Sequence, residues 1–156
     1  MSVETSELMP GVVLNSLGKH NDDRGWLTEL YREDELPEGF TPAMGYMSVT
    51  KAGVARGPHE HADQTDGFVF MSGQFRLYLW ENRAGSGDAK IVLEVGEANP
   101  VFVTVPPGVV HAYKNVGAEE SFVLNFPDRL YAGWGKKDLV DENRHEDDPN
   151  TRFTLE

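Results

Sequence analysis

The sequence of 156 residues contains no cysteine, which excludes disulfide bonds, thiolate nucleophiles and cysteine-ligated zinc sites. It also lacks any apolar run approaching the ~18 residues that a membrane-spanning helix requires. Residues 1–10 have neither the basic segment nor the apolar stretch of a signal peptide. We therefore expect a cytoplasmic protein with no membrane partner.

Positive charge is scarce as well, because 14 Lys and Arg residues stand against 26 Asp and Glu residues, giving a formal net charge of −12 at pH 7. A surface of this sign repels phosphate backbones, so we do not expect nucleic acid as a partner. The overall charge still permits a local basic pocket, and arginines placed among the predicted strands are candidates for one.

Long helical patterns are missing before residue 127, and short β-rich segments take their place. These segments recur about every ten residues with glycine-rich and proline-rich turns between them, a spacing typical of a β-sandwich or barrel. The predicted strands are 12–17, 26–31, 44–51, 68–71, 74–80, 91–95, 101–105 and 121–126.

We expect one domain over residues 1–156, with a barrel core at about 11–127 and a tail at 128–156. Residues 1–9 are polar and are expected to fray or to pack on a partner. The tail is rich in charged residues and poor in apolar anchors. It is expected to be irregular or partly helical, with a short helix over 138–144, and to wrap the surface or a partner subunit.

Histidines stand in two segments at an ordered spacing. His59 and His61 are two residues apart with Asp66 five residues further on, and His111 follows a Pro-Gly turn. The spacing resembles the cupin signature, except that Asp66 replaces a Glu and Pro100 replaces a Gly. This resemblance implies an all-β, cupin-type double-stranded β-helix, or jelly-roll barrel.

The same spacing has a direct physical consequence. Residues two apart in a strand point to one face, about 7 Å apart, so His59 and His61 can meet in the barrel interior. His111 can join them from a neighbouring strand. Three imidazoles with the carboxylate of Asp66 would suit a divalent transition metal, and the sequence does not choose among Zn, Fe, Mn, Ni and Cu.

A narrower resemblance rests on Asp23-Arg24-Gly25 followed by Glu29, on Arg56-Gly57-Pro58-His59, on the run from Pro106 to His111, and on Tyr131 with a closing Asp-Pro. In this order they are similar to the dTDP-4-dehydrorhamnose 3,5-epimerase family, the RmlC-like branch of the cupins. The resemblance implies an isomerase of a nucleotide-linked 4-keto deoxysugar that serves polysaccharide biosynthesis. It also implies a homodimer without metal or other cofactor.

Roles for individual residues follow from the resemblance. His59 would be the base that removes a proton next to the ketone, and His111 would line the pocket. Arg24 and Arg56 would hold the pyrophosphate, since a guanidinium matches phosphate oxygens. Glu29 would accept hydrogen bonds from the nucleotide base.

The chain also departs from that family's pattern. His61 stands where the family usually has Gln, and Asp66 stands near its oxyanion-binding Lys. Asn125 occupies the position of the family's acid Tyr, where it would line the substrate site, and Tyr131 is the nearest replacement acid. A carboxylate partner for the base is expected to be missing from this short chain.

Three hypotheses therefore stay open. The first is an isomerase of the 3,5-epimerase type. The second is a metal-binding cupin that uses His59, His61, His111 and Asp66 as ligands. The third is a barrel that binds nucleotide sugars but has lost its acid–base groups.

Overall fold

The computed structural model describes residues 5–156 as a set of antiparallel strands with only two short 3₁₀ turns, at Trp134–Lys136 and His145–Asp147. The strands are β1 (Thr5–Met9), β2 (Val12–Ser16), β3 (His20–Asp22), β4 (Gly25–Leu27), β5 (Tyr46–Thr50), β6 (Ala55–Glu60), β7 (Asp66–Phe70), β8 (Gln74–Glu81), β9 (Lys90–Gly96), β10 (Val101–Val105), β11 (Val109–Asn115), β12 (Ser121–Asn125) and β13 (Asn143–Arg144). Among these residues no helix has the length and apolarity needed to traverse a bilayer.

Two sheets form the barrel. The first has six strands in the order β1-β2-β10-β7-β12-β5, and the second has five in the order β13-β6-β11-β8-β9. Between β5 and β8 the chain alternates from one sheet to the other with every strand, and β10 to β12 alternate in the same way. This alternation is the double-stranded β-helix, and the predicted all-β jelly-roll fold is confirmed.

The space between the sheets holds the main core. Phe68 and Phe70 of β7 enter it from the first sheet, while Leu77 and Leu79 of β8 enter it from the second. All four are buried, and burying such side chains is the dominant favourable term in folding.

The outer faces of the sheets are covered as well. Tyr78 and Trp80 of β8 point away from the main core and pack with Phe153 of the tail. Alternate residues of β8 therefore serve two cores, and the tail wraps the barrel surface through this aromatic anchor. Phe102 packs with Phe40 on the outside of the first sheet.

Several predicted boundaries are corrected by the structure. The expected strand 26–31 is only Gly25–Leu27, because the chain then leaves its hairpin and places Tyr31 against Phe102 and Phe126. The expected helix over 138–144 is wrong, because Asn143–Arg144 forms β13 and pairs with β6. Residues 1–4 of the polar N-terminus lie outside the described residues, while Thr5–Met9 pairs with β2 rather than fraying.

A bulge in β6 sets the position of the histidines. In the pairing of β11 with β6, His111 lies opposite His59 and Tyr113 lies opposite Arg56. Two steps along β11 therefore correspond to three steps along β6. The extra residue of β6 lies next to Gly57, whose φ is +85°. A Cβ at Gly57 would lie 2.5 Å from the backbone oxygen of His111, so only glycine fits.

We expect Gly57→Ala to destabilise the protein much more than Gly53→Ala. Both glycines have positive φ, which costs an alanine about 1–2 kcal/mol. A Cβ at Gly53 meets nothing within 4 Å, whereas a Cβ at Gly57 meets the backbone of β11. Urea unfolding should place Gly57→Ala at least ~2 kcal/mol below the Gly53→Ala control. Equal losses would show that the close approach of β6 and β11 is not a constraint.

Candidate active site

A cavity of about 960 Å³ opens between the two sheets. Its first wall includes Tyr46 and Ser48 of β5, and its second wall includes Arg56 and His59 of β6. The tail supplies the rim, mainly residues 127–146. A cavity of this size matches the ~300–1,000 Å³ typical of small-molecule sites.

Four titratable side chains cluster at the bottom of this cavity, and three of them, His59, His61 and Asp66, line it, while His111 is buried behind them. His59 and His111 face each other on β6 and β11 with ring centroids 4.6 Å apart, and His61 follows the end of β6. Asp66 begins β7 of the opposite sheet. One ligand atom from each of the four lies within 4.8 Å of the others, so the predicted cluster forms.

His61 is held between two hydrogen-bond acceptors. Its Nε2 lies 2.8 Å from Asp66 Oδ2, and its Nδ1 contacts the backbone oxygen of Asp141. Because both partners can only accept, both ring nitrogens must donate, which requires the imidazolium form. Burial opposes this charge, but the hydrogen bond and charge of Asp66 outweigh it and raise the pKa of His61 to about 9.

Asp66 is the acceptor that the cluster shares. Its Oδ2 lies 2.8 Å from His61 Nε2 and 3.1 Å from His111 Nε2, and its Oδ1 accepts from Gln64 Nε2 at 2.7 Å. Burial opposes the negative charge, but the adjacent imidazoles of His111 and His61 hold the pKa of this carboxyl well below its usual range. Asp66 and His61 therefore form a buried pair whose net charge is zero.

One ring nitrogen of His111 forms a hydrogen bond, and the other is buried without one. Nδ1 donates to the backbone oxygen of Val109 at 3.0 Å, so Nδ1 carries a proton. Nε2 is buried and forms no aligned hydrogen bond within the described residues, although Asp66 Oδ2 is 3.1 Å away.

His59 is the electrically neutral histidine of the cluster. Burial, together with the nearby His111 and His61, lowers the pKa of His59 to about 3. At neutral pH its imidazole therefore has a free lone pair, which is the form a general base requires.

Two carboxylates of the tail stand beside this base. His59 Nδ1 lies 3.6 Å from Glu146 Oε2 and 3.9 Å from Glu142 Oε1. Burial raises the pKa of Glu146, and both His59 Nδ1 and Glu146 Oε2 are buried without a hydrogen bond among residues 5–156. The sequence predicts no carboxylate partner for the base, and the structure places two tail carboxylates close to it without a hydrogen bond.

Asp141 fastens the tail to the loop that follows β6. Its carboxylate accepts the backbone N–H groups of residues 62–64 at 2.8, 2.8 and 3.0 Å. Burial opposes the charge, but these three donors hold the pKa of Asp141 below its ordinary value. The same residue accepts from His61 through its backbone oxygen, so one tail residue orients both the loop and the imidazolium.

The other predicted site residues divide into two groups. Arg56, Asn125 and Tyr131 line the cavity together with His59 and His61, whereas His111, expected to line the pocket, is buried behind its wall. Arg24 and Glu29 do not, since Arg24 is exposed and pairs with Asp22 at 2.6 Å, and exposed Glu29 lies 3.5 Å from Arg32. Within one chain, Arg24 and Glu29, which were expected to bind the nucleotide, therefore do not line the cavity.

Sequence reasoning missed three residues of the site. Asp141, Glu142 and Glu146 belong to a charged tail in which no residue spacing distinguishes them from solvated acids. His145 lies in the same charged tail, yet its Nε2 lies 2.8 Å from Glu60 Oε1 and its ring packs on Phe153. The pairing of β13 with β6 brings these tail residues to the site, and no local sequence pattern predicts that pairing.

The chain is similar in sequence to proteins of polysaccharide and glycan biosynthesis. Residues 20–136 match the family described as the polysaccharide biosynthesis C-terminal domain. The spore coat polysaccharide biosynthesis protein SpsL of Bacillus subtilis is 33% identical over 141 residues, covering 88% of this chain and 89% of SpsL. The probable low-salt glycan biosynthesis epimerase Agl13 of Haloferax volcanii is 32% identical over 124 residues, covering 77% of this chain and 79% of Agl13.

Solved structures share the fold at lower identity. NovW, a 4-keto-6-deoxy sugar epimerase of Streptomyces spheroides, superposes with a TM-score of 0.80 at 20% identity, covering 99% of this chain and 83% of NovW. The dTDP-4-dehydrorhamnose 3,5-epimerase of Bacillus anthracis, solved with TDP and PPi bound, gives a TM-score of 0.76 at 20% identity, covering 92% and 83% of the two chains. The resemblance stated from the sequence motifs is thus confirmed in the fold.

The charge on His61 predicts a loss of stability at alkaline pH. Because the pKa rises from 6.5 in the unfolded chain to about 9 in the fold, the stabilisation is complete below about pH 6.5 and is lost as the pH rises through 9. The shift corresponds to ~3 kcal/mol. Urea unfolding from pH 6 to 9.5 in the presence of EDTA should show this decline in the wild type and not in His61→Asn.

The exposed His20 supplies the matched control for this experiment. His20→Asn should keep the alkaline decline of the wild type. A wild-type free energy of unfolding that stays constant over this range would show that His61 is not an imidazolium.

Proposed function

The chain belongs to the polysaccharide biosynthesis C-terminal domain family, and we propose that it is an isomerase of a nucleotide-linked 4-keto deoxysugar with His59 as the base. The observation that carries this proposal is the position of the His59 imidazole, on the wall of a cavity of about 960 Å³ with two tail carboxylates beside its Nδ1. Because this imidazole is neutral, it can remove the proton next to a ketone without first losing a proton of its own.

The tail carboxylates support this role for His59. A proton on Nδ1 would point toward Glu146 and Glu142, which leaves Nε2 as the basic nitrogen. When His59 takes the substrate proton it becomes positively charged, and these carboxylates stabilise the imidazolium. The distances of 3.6 and 3.9 Å are longer than hydrogen bonds, as is common before substrate is bound.

The acid at position 66 is compatible with the negative charge of an enolate. Asp66 is neutralised by the imidazolium of His61, so the pair presents no net negative charge to the cavity. An uncompensated carboxylate there would repel an enolate oxygen. His61 thus cancels the charge of Asp66 at the end of the site where the family has its Lys.

Arg56 supplies a binding group for the diphosphate. Its Nε donates to Thr50 Oγ1 at 3.0 Å and its Nη2 donates to the backbone oxygen of Val49 at 2.7 Å, which fixes the guanidinium on the cavity wall. Nη1 forms no hydrogen bond within the described part of the chain and can reach a phosphate oxygen. Arg129, which also lines the cavity, is a second cation for this purpose.

The proposal retains the homodimer and the cytoplasmic location expected above. Arg24 and Glu29 are exposed and lie away from the cavity of their own chain, so a nucleotide-binding role for them requires a second chain. No metal or other cofactor takes part in the proposed proton transfer.

Hydrogen exchange at the sugar tests the proposal. In D₂O the protein should introduce deuterium at C3 or C5 of a dTDP-linked 4-keto-6-deoxyhexose, as NMR and mass spectrometry will show. His59→Asn should slow this exchange by ~10²-fold or more, because it removes the base. His20→Asn, an exposed histidine outside the cavity, should exchange at the wild-type rate. An active wild type whose exchange is unaffected by His59→Asn would contradict the assignment.

A metal site is the second candidate function, and the orphaned Nε2 of His111 favours it. The Nδ1 atoms of His61 and His111 contact backbone carbonyl oxygens, the arrangement that orients metal-ligating imidazoles. With His59 and Asp66 the donor set would suit a divalent transition metal, which would supply Lewis acidity to a ketone oxygen. The 2.8 Å contact of His61 with Asp66 is shorter than the ~3.3 Å between ligands of a tetrahedral metal, so these two would have to separate.

Metal analysis separates the two candidates. The metal reading predicts one equivalent of bound Zn, Fe, Mn, Ni or Cu that is lost in His61→Ala and His111→Ala. The proton-transfer reading predicts substoichiometric metal and exchange activity that survives EDTA. Stoichiometric metal in the wild type together with loss of exchange after chelation would overturn the metal-free mechanism.

A further inference from the structure

The proposed isomerisation needs a second proton-handling group besides His59. Inverting a carbon requires that a proton leaves one face of the enolate and another arrives at the opposite face. An imidazole on one wall of the cavity cannot serve both faces. Asn125 cannot supply the second proton, because a neutral amide is not a useful acid.

Three tyrosines line the cavity, and two of them are poorly placed for this role. Tyr113 lies on β11, in the same sheet as His59, and is only 4% exposed. Its hydroxyl is within 3.1 Å of Ser48 Oγ. Tyr131 lies in the tail, outside both sheets.

Tyr46 lies on the opposite wall. It belongs to β5 at the edge of the six-stranded sheet, whereas His59 belongs to β6 of the five-stranded sheet. Facing sheets are separated by about 10 Å, which leaves space for a sugar ring between their side chains. A phenol from β5 and an imidazole from β6 can therefore approach a bound sugar from opposite faces.

The strand register directs the Tyr46 side chain into the cavity. Tyr46 pairs directly with Asn125 of β12, and paired residues point to the same face with Cβ atoms about 5 Å apart. Asn125 is buried in the cavity wall, and its Nδ2 donates to Ser48 Oγ at 3.3 Å. Ser48 is two residues from Tyr46, so both share one face of β5 and both line the cavity, whereas Met47 and Val49 do not line it.

The charges around Tyr46 keep its proton in place. Tyr46 is 49% exposed, yet its partial burial raises the pKa of its hydroxyl above the ordinary value, and Asp66, Tyr113 and Glu142 raise it further against the opposing effect of Arg56. Tyr46 therefore keeps its proton under conditions in which His59 has none. Two groups whose environments separate their pKa values in this way fit the roles of acid and base.

We propose that Tyr46 is the catalytic acid that delivers a proton to the face opposite His59, an inference that rests on the proposed isomerase function. His59 takes the proton from the carbon next to the ketone, and the C–H electron pair becomes the C=C bond of an enolate. Tyr46 then gives its phenolic proton to the same carbon on the other face, and the ketone re-forms. The phenolate and the imidazolium left behind return to their starting states by proton exchange with water.

Tyr46→Phe tests this assignment, because it removes only the hydroxyl. With a dTDP-linked 4-keto-6-deoxyhexose in D₂O, we expect inversion to fall by ~10²-fold or more. Deuterium should still enter the unreacted substrate through His59, at a rate within ~5-fold of the wild type, and KM should change little. This separation of exchange from inversion is not expected from a structural defect.

Tyr31→Phe is the matched control, since Tyr31 packs on Phe102 and Phe126 outside the cavity. It should leave both exchange and inversion unchanged. Inversion that survives Tyr46→Phe, or exchange and inversion that fall together, would overturn the assignment. Loss of inversion in Tyr131→Phe instead would assign the acid to the tail. A wild type without any exchange would refute the proposed function itself.

Discussion

The buried carboxylate of Asp66 is the constraint on which the site depends. It begins β7 in one sheet, while the imidazoles that contact it come from β11 of the other sheet and from the loop that follows β6. A buried carboxylate is tolerated only when it is paired and hydrogen-bonded, so the two sheets must meet with these groups in register. The bulge at Gly57 and the loop from His61 to Asp66 both serve that requirement.

The tail extends the same network to the rim of the cavity. Asp141 fixes the loop after β6 through three backbone hydrogen bonds and orients His61 through its own backbone oxygen. The pairing of β13 with β6 then brings Glu142 and Glu146 next to His59. Phe153 anchors the far end of the tail on Trp80. A tail that looks solvated in the sequence is therefore part of both the fold and the candidate active site.

Sequence patterns predict contacts between residues that are close along the chain, but not contacts between residues that are far apart in sequence. Strand 101–105 and the histidine spacing are local patterns, and the structure forms both of them. The contact of Asp141 with His61 spans 80 residues and carries no local signal. Strand β5 is misleading in a different way, because its apolar Met47 and Val49 do not line the cavity, whereas Tyr46 does. Alternation gives the two faces of a strand but not which of them faces the interior when that interior is a polar site.

The protonation states of the clustered histidines and Asp66 link the stability of the fold to the chemistry of the site. Asp66 makes His61 an imidazolium, and burial, together with the neighbouring His111 and His61, keeps His59 neutral. The group that balances the buried acid thereby prepares the base beside it. If a metal took the place of the proton on His61, His59 would become a ligand, and its lone pair would no longer be available to a substrate. The four side chains can therefore serve proton transfer or metal binding, but His59 cannot do both at once, and the state of His61 decides between them.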